Sequence, residues 1–344
     1  MSLVPFLAVA FGGGTMSLLL RRWPSLALGV GLTAIAVAVL AAISVTPGER
    51  LGFGGGAVLT TSFVRLFLVL AGWTALVGGI VAVLAMPNSW PQNLPGAALT
   101  GLGAAALGLS IADAATAAEA SIAAGLAGVI VTARLPLTPR GIGVAARELR
   151  ALAIAAALVV GAIAWFARPG EAAGRLEPDP AVIGIAYLAV VIGVAVRFGA
   201  IPFHLWAARV ADAAPEAALP LVLAWLPAVL ALVGLAWTNG LIRPVVTTAG
   251  SDLASERALV AGIGILSFLF GAVAAWIQDD LEHVVGYSIV QDAGIVVLAL
   301  ASIDPAVWQP ARVWIVALVT LRTAFAVWVV AVRGRFGSRR VSGL

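Results

Sequence analysis

A chain of 344 residues that is 62% hydrophobic and only 10% charged carries more apolar surface than a soluble domain can bury, since such domains run at about 25% charged residues. It reads as an all-α polytopic membrane protein whose length counts spans rather than domains. There is no Cys and there are two His, His204 and His283, which excludes disulfides, thiolate metal sites and iron–sulfur clusters, so no metal or other cofactor is expected. The net charge of +4 comes entirely from Arg, with no Lys among the 20 basic residues, and lacks the interleaved aromatics of a nucleic-acid surface.

Apolar runs of the roughly 17–25 residues needed to cross a bilayer fall at 3–20, 24–46, 63–86, 96–112, 114–133, 151–167, 181–203, 216–238, 257–277, 284–303 and 311–332. They predict about eleven transmembrane helices. No basic region precedes the first run, so no cleavable signal peptide is expected. Asp113 and small residues blur the boundary between the fourth and fifth runs. The connectors at 87–96, 134–141 and 168–180 are rich in Pro and Gly, while 141–150 (GIGVAARELR) and 204–214 (HLWAARVADAA) read as short interfacial helices. Ala and Gly inside the spans let helix backbones approach closely, so most spans read as packing scaffold. The odd-numbered loops and the tail hold Arg21, Arg22, Arg134, Arg140, Arg147, Arg150, Arg209, Arg333, Arg335, Arg339 and Arg340; the even-numbered loops hold Arg50, Arg65, Arg168, Arg175, Arg243, Arg257 and Arg312. This bias places the N-terminus outside and the C-terminus in the cytoplasm.

Five ionisable residues fall within or at the edge of spans: Asp113, Glu119, Arg197, Asp292 and Arg322. Each costs about 2.5–3.5 kcal/mol on insertion scales, which makes it a functional candidate. Two readings stand side by side. The charges pair across helices, Glu119 with Arg197 or Asp292 with Arg322, and fix helix register; or they form a polar chain that carries ions or protons. At 197–206, RFGAIPFHLW places a permanent cation, Gly199, Pro202 and His204 together. Pro202 removes a backbone donor and predicts a broken seventh helix, Gly199 adds local slack, and a charge beside such a break is a recurring way to build a mid-membrane site.

Two stretches together are more specific. VRFGAIPFHLWAARVADAAPEAALP at 196–220 resembles the seventh-span signature of the antiporter-like membrane subunits of respiratory complex I, the multisubunit cation/proton antiporters and the energy-converting hydrogenases. QDDLEHVVGYSIVQDAG at 278–294 resembles the pattern that opens that family's tenth span, and LVTLRTAFAVW at 318–328 resembles its eleventh. The resemblance covers roughly residues 100–330. It implies a proton pathway in which Glu119 stands for the fifth-span Glu and Arg197 for the seventh-span Lys. Asp292 falls where many relatives have a His, and Arg322 at the eleventh-span Lys. Pro227 replaces the eighth-span Lys and Leu318 the His before Arg322, and the chain stops before the family's second broken helix. The resemblance also divides the chain into helices 1–3 (residues 1–95), a first antiporter-like repeat (96–238), an incomplete second repeat (239–332) and a basic tail (333–344).

Lys relays protons because burial can lower its pKa by several units; Arg stays charged, with a pKa above 12. The proton carriers left are therefore Glu119, Asp292, His204 and His283, with His204 at the membrane edge suited to loading near neutral pH. The expected function is an antiporter-like subunit of a multisubunit respiratory or hydrogenase-type complex in a bacterial or archaeal cytoplasmic membrane, contributing to proton translocation through one half-channel. The alternatives are a non-pumping structural or docking subunit of the same fold and a stand-alone small-ion transporter. Its expected partners are other membrane subunits and the lipid bilayer, with quinone and electrons handled by partner subunits and no redox chemistry of its own.

Overall fold

The structure is a computed structural model that describes residues 2–53, 56–85, 94–133, 139–166, 180–213, 216–249 and 252–337. The connectors around 87–93, 134–138 and 168–179, and the tail beyond 337 with Arg339 and Arg340, lie outside the described residues. Helices α1 (Val4–Leu19) and α2 (Pro24–Ser44) are followed by strands β1 (Arg50–Phe53) and β2 (Gly56–Leu59). Then come α3 (Ser62–Ala85), α4 (Leu94–Ser110), α5 (Ala114–Thr132), α6 (Pro139–Phe166), α7 (Pro180–Phe198) and α8 (Leu205–Ala213). The chain continues with α9 (Leu226–Trp237), α10 (Arg243–Ala249), α11 (Ala254–Trp276), α12 (Leu281–Ala301) and α13 (Pro305–Phe336). Ten of the described helical segments are long and apolar enough to cross a membrane, and α4 is a shorter apolar helix beside them. The all-α polytopic expectation holds.

Helix α9 is hydrophobic on every side, and its residues from Leu226 to Leu235 are all buried. Such a helix belongs inside protein rather than against lipid, and α9 packs against α4, α5, α7 and α13 as the axis of the bundle. Pro227 has no N–H for the Leu223 carbonyl, and the helix opens into wide i→i+5 turns over Leu221–Trp225 at that point. The span runs on as one helix to Thr247, well past the expected end at 238. The hairpin is antiparallel, pairing Arg50 with Leu59 and Phe53 with Gly56, and Ala112 N–H donates to the Ala57 carbonyl at 3.0 Å, tying it to the α4–α5 turn. Apolar periodicity gave no sign of this short element.

Asp113 sits at the N-cap of α5, where its Oδ2 accepts from the Thr116 hydroxyl (2.7 Å) and backbone N–H (2.8 Å). The Thr116 hydroxyl, then the Thr116 amide, hold its carboxyl below the usual carboxylate range. A depressed carboxyl stabilises above its unfolded pKa and loses that contribution as pH falls through the folded value. Asp113→Ala is expected to cost about 1 kcal/mol at neutral pH, read as a lower unfolding midpoint that converges with the parent in acid.

Helices α11 and α12 touch backbone to backbone. A Cβ on Gly271 would lie 2.3 Å from the Gln291 nitrogen, and one on Gly294 2.5 Å from the Gly264 carbonyl. This is small-residue packing, which replaces the hydrophobic drive that lipid does not supply. Gly271→Ala is expected to destabilise by about 1–3 kcal/mol through overpacking. Gly262→Ala, where an added Cβ meets nothing within 4 Å, serves as the neutral control in a thermal unfolding assay in detergent.

Candidate functional site

The seventh span ends differently from the expectation of a proline break. Gly199, at φ +70°, donates its N–H to Val196 (3.2 Å), and Ala200 donates to Ala195 (2.8 Å). This paired 5→2 and 6→1 pattern around a left-handed glycine is a Schellman stop. Helix α7 therefore ends at Phe198, and Pro202 stands beyond it, in a turn closed by the Phe203 N–H on the Ala200 carbonyl (2.6 Å). The Ile201–Pro202 peptide is cis. The Ile201 amide donates to Ser267 Oγ on α11 at 3.0 Å, which pins the turn to the neighbouring helix. Helix α8 then lies against α6 and α12.

Arg197, in the last turn of α7, is buried between these elements. Its Nη2 faces Glu148 Oε1 at 3.5 Å, and the two side chains are 1% and 0% exposed. Thr132, the last residue of α5, donates its hydroxyl to Glu148 Oε2 at 2.7 Å. The Arg197 guanidinium lies 5.3 Å from the ring of Trp206, a cation–π arrangement. The Trp206 indole N–H in turn donates to the Val196 carbonyl at 2.7 Å. Four helices thus meet at one carboxylate–guanidinium pair. Room for it comes from α5, where a Cβ on Gly128 would lie 2.7 Å from Glu148 Oε1 and one on Gly125 3.5 Å from Arg197 Nη2. Glu148 Oε1 and Arg197 Nη1 and Nη2 make no formal hydrogen bond among the described residues, so the pair is held by charge and burial more than by directed contacts.

Glu148 was not among the expected site residues, because 141–150 reads as an interfacial helix. In the structure these residues form the first turns of α6. The buried stripe of α6 runs through Val144, Glu148, Ala151, Ala155, Val159 and Ala162, a steady three-to-four-residue spacing. Extending that stripe back from the apolar run would have placed Glu148 on the inner face. Glu119 takes the opposite position. It belongs to the exposed stripe Thr116, Glu119, Ala123, Leu126 and Ile130 of α5, while Ser121, Gly125, Gly128 and Thr132 face inward. Residues two apart on a helix are turned about 160° from each other, so Glu119 and Ser121 cannot both face the core. The anticipated pairing of Arg197 with Glu119 is replaced by the pair with Glu148.

The second anticipated pair forms. Arg322 on α13 donates through Nε and Nη2 to the two carboxylate oxygens of Asp292 on α12, the Nη2 contact at 3.0 Å. Asp292 is buried and Arg322 partly exposed, and the fork geometry makes this a strong, directional contact. His204 follows Pro202 and Phe203, with its ring 4.9 Å from that of Phe270 on α11. Its Nδ1 is buried without a hydrogen bond among the described residues. Gly199 and Pro202 flank the interrupted segment as described. His283 stands at the start of α12, 4.0 Å from Asp280.

Residues 176–334 match the NADH:quinone oxidoreductase/Mrp antiporter transmembrane family. The chain is similar to NADH-quinone oxidoreductase subunit N of Hydrogenovibrio crunogenus, 28% identical over 127 residues, covering 37% of this chain and 25% of that protein. It is similar to subunit N 2 of Syntrophobacter fumaroxidans, 31% identical over 193 residues, covering 55% of this chain and 38% of that protein. The matched segments thus span between a quarter and two fifths of these curated relatives. The fold is similar to a chain of the membrane-bound sulfane sulfur reductase, an archaeal respiratory membrane complex, with a TM-score of 0.78 at 14% identity over 99% of this chain and 73% of that one. It is also similar to a chain of respiratory complex I from Thermus thermophilus, with a TM-score of 0.67 at 20% identity over 95% of this chain and 70% of that one. The match over 176–334 contains the Arg197 turn, the α11–α12 packing and the Asp292–Arg322 fork, and through this segment the chain resembles the antiporter-like membrane subunits of NADH:quinone oxidoreductases and Mrp antiporters, whose fold it shares.

Proposed function

We propose that the chain is the antiporter-like membrane subunit of a multisubunit respiratory or hydrogenase-type complex, and that it contributes one proton half-channel in which Glu148 takes up and releases the proton. The observation that carries this reading is the fully buried Glu148–Arg197 pair, set at the end of α7 directly before the interrupted segment. An intramembrane ionisable pair facing the bundle interior is a functional site by default. Arg stays protonated in proteins, so Glu148 is the member of the pair able to exchange a proton. When Glu148 is neutral, the ring of Trp206 still faces the Arg197 cation. His204, in the turn after α7, is the group placed to load the site. The Asp292–Arg322 fork holds α12 and α13 in register. Electrons and quinone belong to partner subunits, and the N-terminus is assigned to the outside and the C-terminus to the cytoplasm.

A non-pumping spacer of the same fold is the second reading. It draws on the fixed charge of Arg197, which does not discharge and so serves as a permanent clasp between helices. The test has two steps. The tagged chain is purified from its native membrane in mild detergent, and redox or further antiporter-like subunits are expected to travel with it. Recovery of the chain alone contradicts the complex-subunit reading. Proton uptake by proteoliposomes of the assembled complex is then measured for Glu148→Gln, with a fall of at least tenfold at intact assembly expected for a general acid–base group. Unchanged uptake assigns the spacer role.

A further inference from the structure

A second feature lies on the outer side of Trp206. A cavity of about 420 Å³ opens between α6 and α8, lined among others by Arg147, Arg150, Arg209, Phe203, Trp206 and Ile154. No carboxylate is among its described lining residues; the neighbouring Glu148 is buried on the inner face of α6 against Arg197. Arg147 and Arg150 stand one turn apart on the exposed side of α6, and Arg209 is exposed on α8. Below the basic rim the surface turns apolar and outward-facing: Ile154 is 46% exposed and Leu205 67%.

We infer that this cavity is a binding site for the headgroup of an anionic phospholipid, with its phosphate held by Arg147 and Arg150 and an acyl chain lying along Ile154 and Leu205. The argument is one of charge and depth. The guanidinium groups of Arg147 and Arg150 line a helix–helix groove whose continuation is apolar and outward-facing. A basic pocket between transmembrane helices is the arrangement that selects anionic headgroups. Arg forks match phosphate oxygens bidentately, and Trp206 and Phe203 line the groove with aromatic surface. A soluble anion would use the guanidinium rim alone, whereas a lipid also uses the apolar groove. This inference stands apart from the proton reading, since it uses the outer face of α6 and not Glu148.

The test is native mass spectrometry of the purified full chain titrated with phosphatidylglycerol or with phosphatidylcholine of the same acyl chains. Phosphatidylglycerol is expected to half-saturate the parent at a concentration about thirtyfold lower than the R147Q/R150Q double variant, the effect of removing two surface cations. R147K/R150K, which keeps both charges, is expected to stay close to the parent and controls for folding. Millimolar inorganic phosphate is expected to leave the lipid bound. Equal binding by the parent and R147Q/R150Q overturns the inference, as does phosphatidylcholine binding as tightly as phosphatidylglycerol. Displacement by inorganic phosphate reduces the site to a free-anion site and overturns the lipid assignment.

Discussion

Arg197→Met is expected to destabilise the protein by about 3–5 kcal/mol, while Arg197→Met combined with Glu148→Met recovers most of that loss. Glu148 and Arg197 are 0% and 1% exposed. Removing one member of such a pair leaves a bare charge in a medium that cannot solvate it; removing both leaves apolar side chains of similar volume, which is often neutral. Thr132 loses its acceptor in the double variant, a change of about 1 kcal/mol for one hydrogen bond. The measurement is a double-mutant cycle on unfolding midpoints in detergent. Additive losses would show that the two residues do not interact, and the pair would cease to be a site.

The second large effect is expected from Arg197→Lys. The parent pair has a cation that does not discharge, so each protonation of Glu148 leaves Arg197 unpaired inside the bundle. A buried Lys can release its proton, so the variant can pass through a state in which both groups are neutral. Proton flux through the assembled complex is expected to rise several-fold and to become pH-dependent. The packing around the site tempers the gain, because Lys keeps the charge over Trp206 but not the planar stacking of a guanidinium. Flux unchanged from the parent at every pH would mean that the cation at this position does not limit proton movement.

Most of the fold is legible in the chain because lipid leaves few options: apolar runs of spanning length must be helices. The boundaries that went astray have local causes. Helix α6 begins at Pro139 rather than near 151 because Arg147, Glu148 and Arg150 look like an interface, although Glu148 continues the buried stripe. The end of α7 belongs to Gly199 and not to Pro202, since a left-handed glycine can satisfy the last carbonyls before the proline is reached. In the site, Arg197 and the Asp292–Arg322 pair were readable as charges within apolar spans. Which carboxylate meets Arg197 was not, because that depends on how α5 is rotated. Its small residues Gly125 and Gly128 turn toward the pair and carry Glu119 to the opposite side. Family resemblance pointed to Glu119 by span number, and packing assigns the contact to Glu148.

The most direct measurement of the account sets Glu148→Gln beside Glu119→Gln in the same proton-uptake assay of the assembled complex. Loss of uptake in Glu148→Gln with near-parent uptake in Glu119→Gln is the predicted result. Loss in Glu119→Gln with Glu148→Gln unaffected would contradict it, returning the proton to the exposed face of α5 and leaving the buried pair a purely structural clasp.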